Sequence, residues 1–279
     1  MFKFTRKLAV VLLALALVFA AAGCGKKDSD GTAAGGVEAG VPAEPASSFE
    51  YKGAALGGLI ITKYKGTNAN VVIPAQIEVK TVVQNQERDP SNIQWEDDDK
   101  EMITSIENVK SIGDSAFVGC ESITSVTIPN SVKSIGDSAF SNCKSLVTIT
   151  MPDGLTTIGK SMFSHCRSLT SITIPDSVTS IGEFAFYNCA SLTSATIPDG
   201  VTSIGTATFS GCTSLTSVTI PEGVTTIGSN AFWTCKSLDS VTIPKSVTSI
   251  DQTAFTFCTS LSEESKQQIL KVNPNALFK

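Results

Sequence analysis

The chain is short of the side chains from which most active sites are built. Histidine occurs once, at His165, tryptophan twice and tyrosine three times in 279 residues. His165 stands in a column of turn residues, so neither zinc binding nor histidine-based acid–base catalysis is expected of it. No phosphate-cradling glycine loop, Cys-x-x-Cys pair or nucleophile elbow occurs, and the many Ser and Thr hydroxyls have nothing beside them to activate one. Positive charge is also scarce: 21 Lys and Arg stand against 26 Asp and Glu, a net charge of -5, which argues against nucleic acid as a partner. No catalytic residue, cofactor or resident metal is expected, and the chain does not read as an enzyme.

What the chain has instead is repetition. Cys120, Cys143, Cys166, Cys189, Cys212, Cys235 and Cys258 follow one another at intervals of 23 residues, as do Phe117, Phe140, Phe163, Phe186, Phe209, Phe232 and Phe255. A period in this range marks a solenoid, whose repeats bury their apolar faces only against their neighbours. In the copy from Ser168 to Ala190 the apolar columns are Leu169, Ile172, Ile174, Val178, Ile181, Ala185, Phe186 and Cys189. Strict alternation at Ile172 and Ile174 predicts a short strand. Pro175-Asp176-Ser177 turns the chain, and Val178–Ile181 is a second extended segment. Gly182 and its equivalents predict a corner with positive φ, and Ala185-Phe186 one helical turn ended at the column Gly119, Asn142, His165, Asn188 and Gly211, residues that tolerate the left-handed region.

The ends read differently. Lys3, Arg6 and Lys7 precede an apolar run from Leu8 to Ala22, the pattern of an export signal over residues 1–23. Residues 24–48 are a polar, glycine-rich tether. Residues 49–100 are expected to form an N-terminal β cap, with Leu59–Thr62 and Val71–Ile73 as antiparallel strands, a degenerate first coil continuing through Ile77–Val83, and an inserted acidic loop; the beat resumes at Ile103. The solenoid proper covers 101–261. Beyond it, in 262–279, Ser262 is placed to cap a helix running to about Val272, with Ile269 and Leu270 over the last coil as a lid.

Two resemblances follow. Ala21-Ala22-Gly23-Cys24 resembles the lipobox of bacterial lipoproteins, which implies acylation of Cys24 and anchoring to the outer face of a bacterial membrane. The pattern L-x-x-I-x-I-P-x-x-V-x-x-I-G-x-x-A-F-x-x-C resembles the BspA-like class of bacterial leucine-rich repeats. That resemblance implies a β-rich α/β solenoid, a right-handed leucine-rich repeat array of 23-residue coils with helical C-terminal cap, and a surface protein of the adhesin kind that binds a host or bacterial protein or glycan. The alternative is a structural spacer without a specific ligand. Ser131, Gly154, Ser177, Gly200, Gly223 and Ser246 stand where better-known leucine-rich repeats carry an asparagine ladder.

Candidate binding residues fall in three groups. Thr127, Thr150, Thr173, Thr196, Thr219 and Thr242 should form an outward polar row, or plain scaffold. Tyr187 and Trp233 replace small residues in the column after the core phenylalanine, and Phe184 replaces a small residue nearby. Lys144, Arg167 and Lys236 add positive charge. The row Asp153, Asp176, Asp199 and Glu222 is a solvated edge or a cation site. The cysteine column reads as buried thiols, with disulfides and metal as alternatives.

Overall fold

The computed structural model describes residues 42–54, 57–84 and 100–279. The export signal, Cys24, the first part of the tether and the acidic stretch 85–99 lie outside them. The described residues fall into two compact units, 76–84 with 100–107 and 42–75 with 108–279. The first holds β4 (Gln76–Gln84) and the start of β5 (Lys100–Ile112), neighbours in one sheet.

The second unit is the solenoid. Alternation makes its strands: in Ser125–Thr127 the central Val126 is buried and Thr127 is exposed, and the same holds at Thr148–Thr150, Ser194–Thr196 and Ser217–Thr219. Parallel pairing is in register with the period, Ser194 opposite Ser217 and Ser217 opposite Ser240. A second column of two-residue strands stacks likewise, with Ile204 opposite Ile227 and Ile227 opposite Ile250. Ser171–Thr173 joins no ladder, and nothing in the structure explains it.

The third wall contains no helical turn. Successive turns from Ala185 N to Gly182 O, Tyr187 N to Phe184 O and Cys189 N to Phe186 O fold it instead. Between these turns Phe184, Phe186 and Asn188 donate N–H bonds of 2.8 to 3.0 Å to Thr206, Thr208 and Ser210 of the following coil. The same three-bond set, always donated toward the C-terminal neighbour, links Ser138, Phe140 and Asn142 to Lys160, Met162 and Ser164.

Two columns of this wall lie in the left-handed region. One runs Ser115, Ser138, Ser161, Phe184, Ala207 and Asn230, with φ between 51° and 59°; the other is the expected column Gly119, Asn142, His165, Asn188 and Gly211, continued by Thr234 and Phe257. Gly182 and its equivalents are not in that region, which corrects the sequence reading. Close approach of the preceding coil explains Gly136, Gly159 and Gly182, though not Gly205: a Cβ on Gly182 would lie 2.7 Å from Lys160 N and 2.9 Å from Gly159 C.

Inside, the phenylalanines form one continuous stack, with centroids 4.8 to 5.9 Å apart from Phe117 to Phe255. Tyr64 extends it by one ring, 5.2 Å from Phe117, although its spacing in sequence is different. Tyr64 closes β2 (Leu59–Tyr64), whose antiparallel partner is β1 (Phe49–Gly53) rather than the Val71 segment. β3 (Asn70–Val72) pairs in parallel with Ser125–Thr127 and belongs to the strand column.

The first coil therefore stacks directly on the regular ones. Its turn is interrupted by the excursion 76–107, and a 2.8 Å bond from Val109 N to Ala75 O closes the coil across it, as Val132 N to Pro129 O does in the next. β4 is thus not the repeat's continuation, and the beat resumes at Val109 rather than Ile103. Ahead of β1, the buried Glu44 accepts from Asn68 Nδ2 and Ser48 Oγ while its N–H bonds to Val72 O.

At the other end α1 (Glu263–Val272) starts at Ser262, whose side chain accepts from Ser265 N. Ile269 is fully buried and Leu270 half-buried. The helix also satisfies the last coil's open edge: Ser265 Oγ accepts from Val241 N at 3.0 Å, Gln268 Oε1 from Ile243 N at 2.9 Å, and Asn273 Nδ2 donates to Ile250 O at 2.8 Å.

Candidate interaction surface

The cysteine column is interior. Cys143 through Cys258 are buried, Cys120 is half-buried, and all seven are free. Each buried thiol lies 3.0 to 3.2 Å from the carbonyl oxygen of the preceding coil's phenylalanine, Cys166 on Phe140 and Cys212 on Phe186 among them. Burial pushes the Cys143, Cys212 and Cys258 thiols up to about 12 and Cys166, Cys189 and Cys235 well above their ordinary value. A thiol so buried and so far from ionising is a poor nucleophile. Among the described residues no group of three His, Cys, Asp or Glu is arranged to hold a metal ion.

The strand face is flat and uniform. Thr127, Thr150, Thr173, Thr196, Thr219 and Thr242 are all exposed. The neighbouring Thr193 and Thr216 hydroxyls are used by the scaffold, donating to Thr170 O and Thr193 O of the coil before. Asp153, Asp176, Asp199 and Glu222 are exposed at the turns, Asp153 accepting from Asn130 Nδ2.

The turn wall is where the coils differ. In the column after the core phenylalanine Ser141, Ser164, Ser210 and Thr256 are buried, Ser210 to 2%. Tyr187 and Trp233 outgrow that space, Tyr187 half-buried and Trp233 37% exposed. Tyr187 meets the ring of Phe184 edge-on at 5.9 Å and that of His165 at 5.2 Å. Trp233 meets Phe257 edge-on at 5.8 Å. Phe257, 43% exposed, was not singled out in the sequence. The signal was available, since a large aromatic follows Gly, Asn, His and Thr in a turn column.

Phe184 and Phe257 hold φ of 59° and 62°, where a bulky side chain costs about 1–2 kcal/mol each. Burial does not offset this at Phe257, so two strained aromatics stand against two aromatics that replace serine or threonine.

Charge gathers on the same wall. Lys144 is paired with Glu121 at 2.6 Å, while Arg167 and Lys236 are exposed and have no ion-pair partner among the described residues. Lys160 lies 6.0 Å over the Phe184 ring and 3.4 Å from Glu183. Asn188 Nδ2 donates to His165 Nδ1 at 3.5 Å; burial first, then Arg167 and Lys144, push the His165 pKa down and favour the neutral ring.

A stack of short parallel strands closed by turns, with a phenylalanine core, defines a leucine-rich repeat solenoid, a module of the binding or scaffold kind. The family model of the BspA-type leucine-rich repeat region, of 6 copies, matches residues 97–199 and 179–279, and the chain belongs to that family. It is similar to the crystal structure of a T. pallidum leucine-rich repeat protein, at 30% identity over 85% of this chain and 100% of that one, TM-score 0.70. It is also similar to a leucine-rich cell surface protein from Faecalibacterium prausnitzii, at 36% identity, TM-score 0.63. A leucine-rich repeat protein from Bacteroides ovatus follows at 26% identity, TM-score 0.56. The chain covers 81% and 77% of its own length in those two comparisons but 55% and 56% of theirs. No curated protein matches the chain.

Proposed function

We propose that the chain is a non-enzymatic, surface-displayed binding module, tethered to the outer face of a bacterial membrane through a lipidated Cys24, and that its turn wall engages a protein or glycan of another surface. The replacement of buried serine by Tyr187 and Trp233 carries this reading. The repeat packs without those rings, and exposed Trp, Tyr and Arg are the side chains that dominate binding sites. The family relationship and the name of the Faecalibacterium prausnitzii relative support a surface location. The uniform strand face, with one threonine per coil, favours a second reading, a spacer with no ligand.

Immobilised chain and its Tyr187→Ser, Trp233→Ser double variant separate the two. A binding module loses its partner in the double variant while keeping its melting temperature; a spacer enriches the same material with and without the rings. Anchoring is tested apart from this. Cys24→Ala should move the protein from the membrane fraction to the medium or leave it as precursor, and unchanged membrane retention of processed protein overturns the lipid anchor.

A further inference from the structure

The aromatics of the turn wall are spaced, not pooled. Tyr187 packs on His165 of the coil before it and on Phe184 of its own, and Trp233 on Phe257 of the coil after it, so the two rings belong to separate clusters. Between them the intervening coil has only small residues, Ser210 and Gly211 buried and Thr213 half-buried. Two ladder steps separate their backbones by about 10 Å. A protein hot spot wants a contiguous apolar centre, which this wall lacks. Separated flat rings with a low step of small residues between them suit a polymer of hydroxylated rings, whose C–H faces stack on aromatics while their hydroxyls stay wet.

Charge runs along the same line. Arg167 and Lys236 occupy one column, three coils or about 14 Å apart, and neither has an internal ion pair among the described residues, on a chain whose net charge is -5. Unpaired cations on the wall that carries exposed Trp233 and half-buried Tyr187 match a ligand that alternates ring faces with anionic groups.

We infer that the turn wall carrying Arg167, Phe184, Tyr187, Trp233, Lys236 and Phe257 binds an acidic β-linked polysaccharide, one with a uronic acid in each disaccharide, laid along the stacking axis. Tyr187 and Trp233 take sugar rings one disaccharide apart, and Arg167 and Lys236, whose long side chains span the difference between their spacing and that repeat, take carboxylates of successive disaccharides. Phe184 and Phe257 brace the two stacking rings from strained backbone, a placement that serves the ligand at the expense of the fold. This rests on the binding-module reading and names its ligand.

The test uses the full-length chain purified in detergent and titrated with hyaluronan, chondroitin and polyglucuronate oligosaccharides, with neutral β-glucan oligosaccharides and polyglutamate as contrasts. At least one acidic polysaccharide should bind, more weakly as salt rises. Tyr187→Ser with Trp233→Ser should weaken it about 30-fold, and Arg167→Gln with Lys236→Gln about 10-fold. Phe184→Ser and Phe257→Asn restore residues found in equivalent coils. They should weaken binding while the melting temperature holds or rises, whereas rings that merely pack the scaffold would lower it. Failure to bind any of the three acidic polysaccharides, equal binding of polyglutamate or neutral glucan, or unchanged binding by the ring variants overturns the inference. If the ring variants lose a captured surface protein while the polysaccharides do not bind, the binding-module reading stands and the ligand assignment falls.

Discussion

Cys189 Sγ lies 3.1 Å from the carbonyl oxygen of Phe163, one coil earlier, and donates its proton to it. The contact recurs at every buried cysteine and explains why this apolar column is cysteine rather than valine or alanine: the thiol is a small hydrophobe that also offers a weak donor to a buried carbonyl.

The first prediction concerns alkaline pH. Burial raises these thiols, to about 12 at Cys143, Cys212 and Cys258 and well above the ordinary value at three others, so the folded chain holds protons that the unfolded chain releases near the ordinary thiol pKa of about 8.5. The stability they protect is complete below that value and falls as pH rises toward 12. Circular dichroism against pH should show a cooperative loss of structure in that window, shifted upward when Cys189 and Cys212 are replaced by valine. A chain equally stable to denaturant at pH 8 and pH 11 would contradict the linkage.

The second prediction is local. Cys189→Ser should destabilise by about 1–3 kcal/mol, since a hydroxyl is costlier to desolvate than a thiol and only one of its hydrogen-bonding sites is met. Equilibrium denaturation measures it. In the native chain, a thiol reagent should label Cys120 ahead of the other six; denatured and without reductant, all seven should label.

Two glycines give a matched pair. Gly182→Ala places a Cβ 2.7 Å from the Lys160 nitrogen and should destabilise by about 1–3 kcal/mol. Gly205→Ala, whose Cβ meets nothing nearer than 3.6 Å, should be neutral or slightly stabilising. Melting temperatures that rank the two the other way would refute close approach as the reason for glycine at 182.

Ser265→Ala removes the acceptor for Val241 N and should cost about 1 kcal/mol. Hydrogen exchange should show the loss concentrated in the last two coils, because each coil contacts only its neighbours. A uniform loss along the chain would argue against that.

The repeat was legible because a period of 23 with no insertion puts each side chain on its own column: Ile172, Phe186 and Cys189 are buried where alternation and spacing place them. Ser262 as helix cap was legible from local chemistry alone. The reading failed where one residue type serves two physical purposes. Glycine at 182 permits positive φ or close approach, and composition cannot separate them. It failed again where the frame is broken: Ala75 and Val109 are adjacent in the coil but far apart in the chain, and Tyr64 enters the phenylalanine stack by a shorter path. On the wall, Tyr187 and Trp233 stood out as departures from a column of serines. The positive φ of the column that holds Phe257 was legible from its Gly, Asn and His, whereas that of the Phe184 column, half of it serine, is visible only in the fold.

The wall bonds all point one way, N–H toward the C-terminal neighbour, in every junction from Ser115–Asp137 to Thr234–Thr256. The turn wall therefore has a head and a tail, with its free donors at the last coil, while the corner and strand bonds, such as Gly182 N to Ile158 O and Thr193 N to Thr170 O, run the other way. At that coil, where the other copies have glycine, stands Asp251, and its Oδ1 accepts from Thr253 N at 2.9 Å and Thr253 Oγ1 at 2.6 Å. The carboxylate thus meets, within the last coil, the Thr253 N–H, whose equivalents in the other coils bond to the coil that follows, and it adds to the cap that α1 forms over the strand edge. Lengthening the chain by duplicating coils should accordingly succeed anywhere before residue 251 and fail after it.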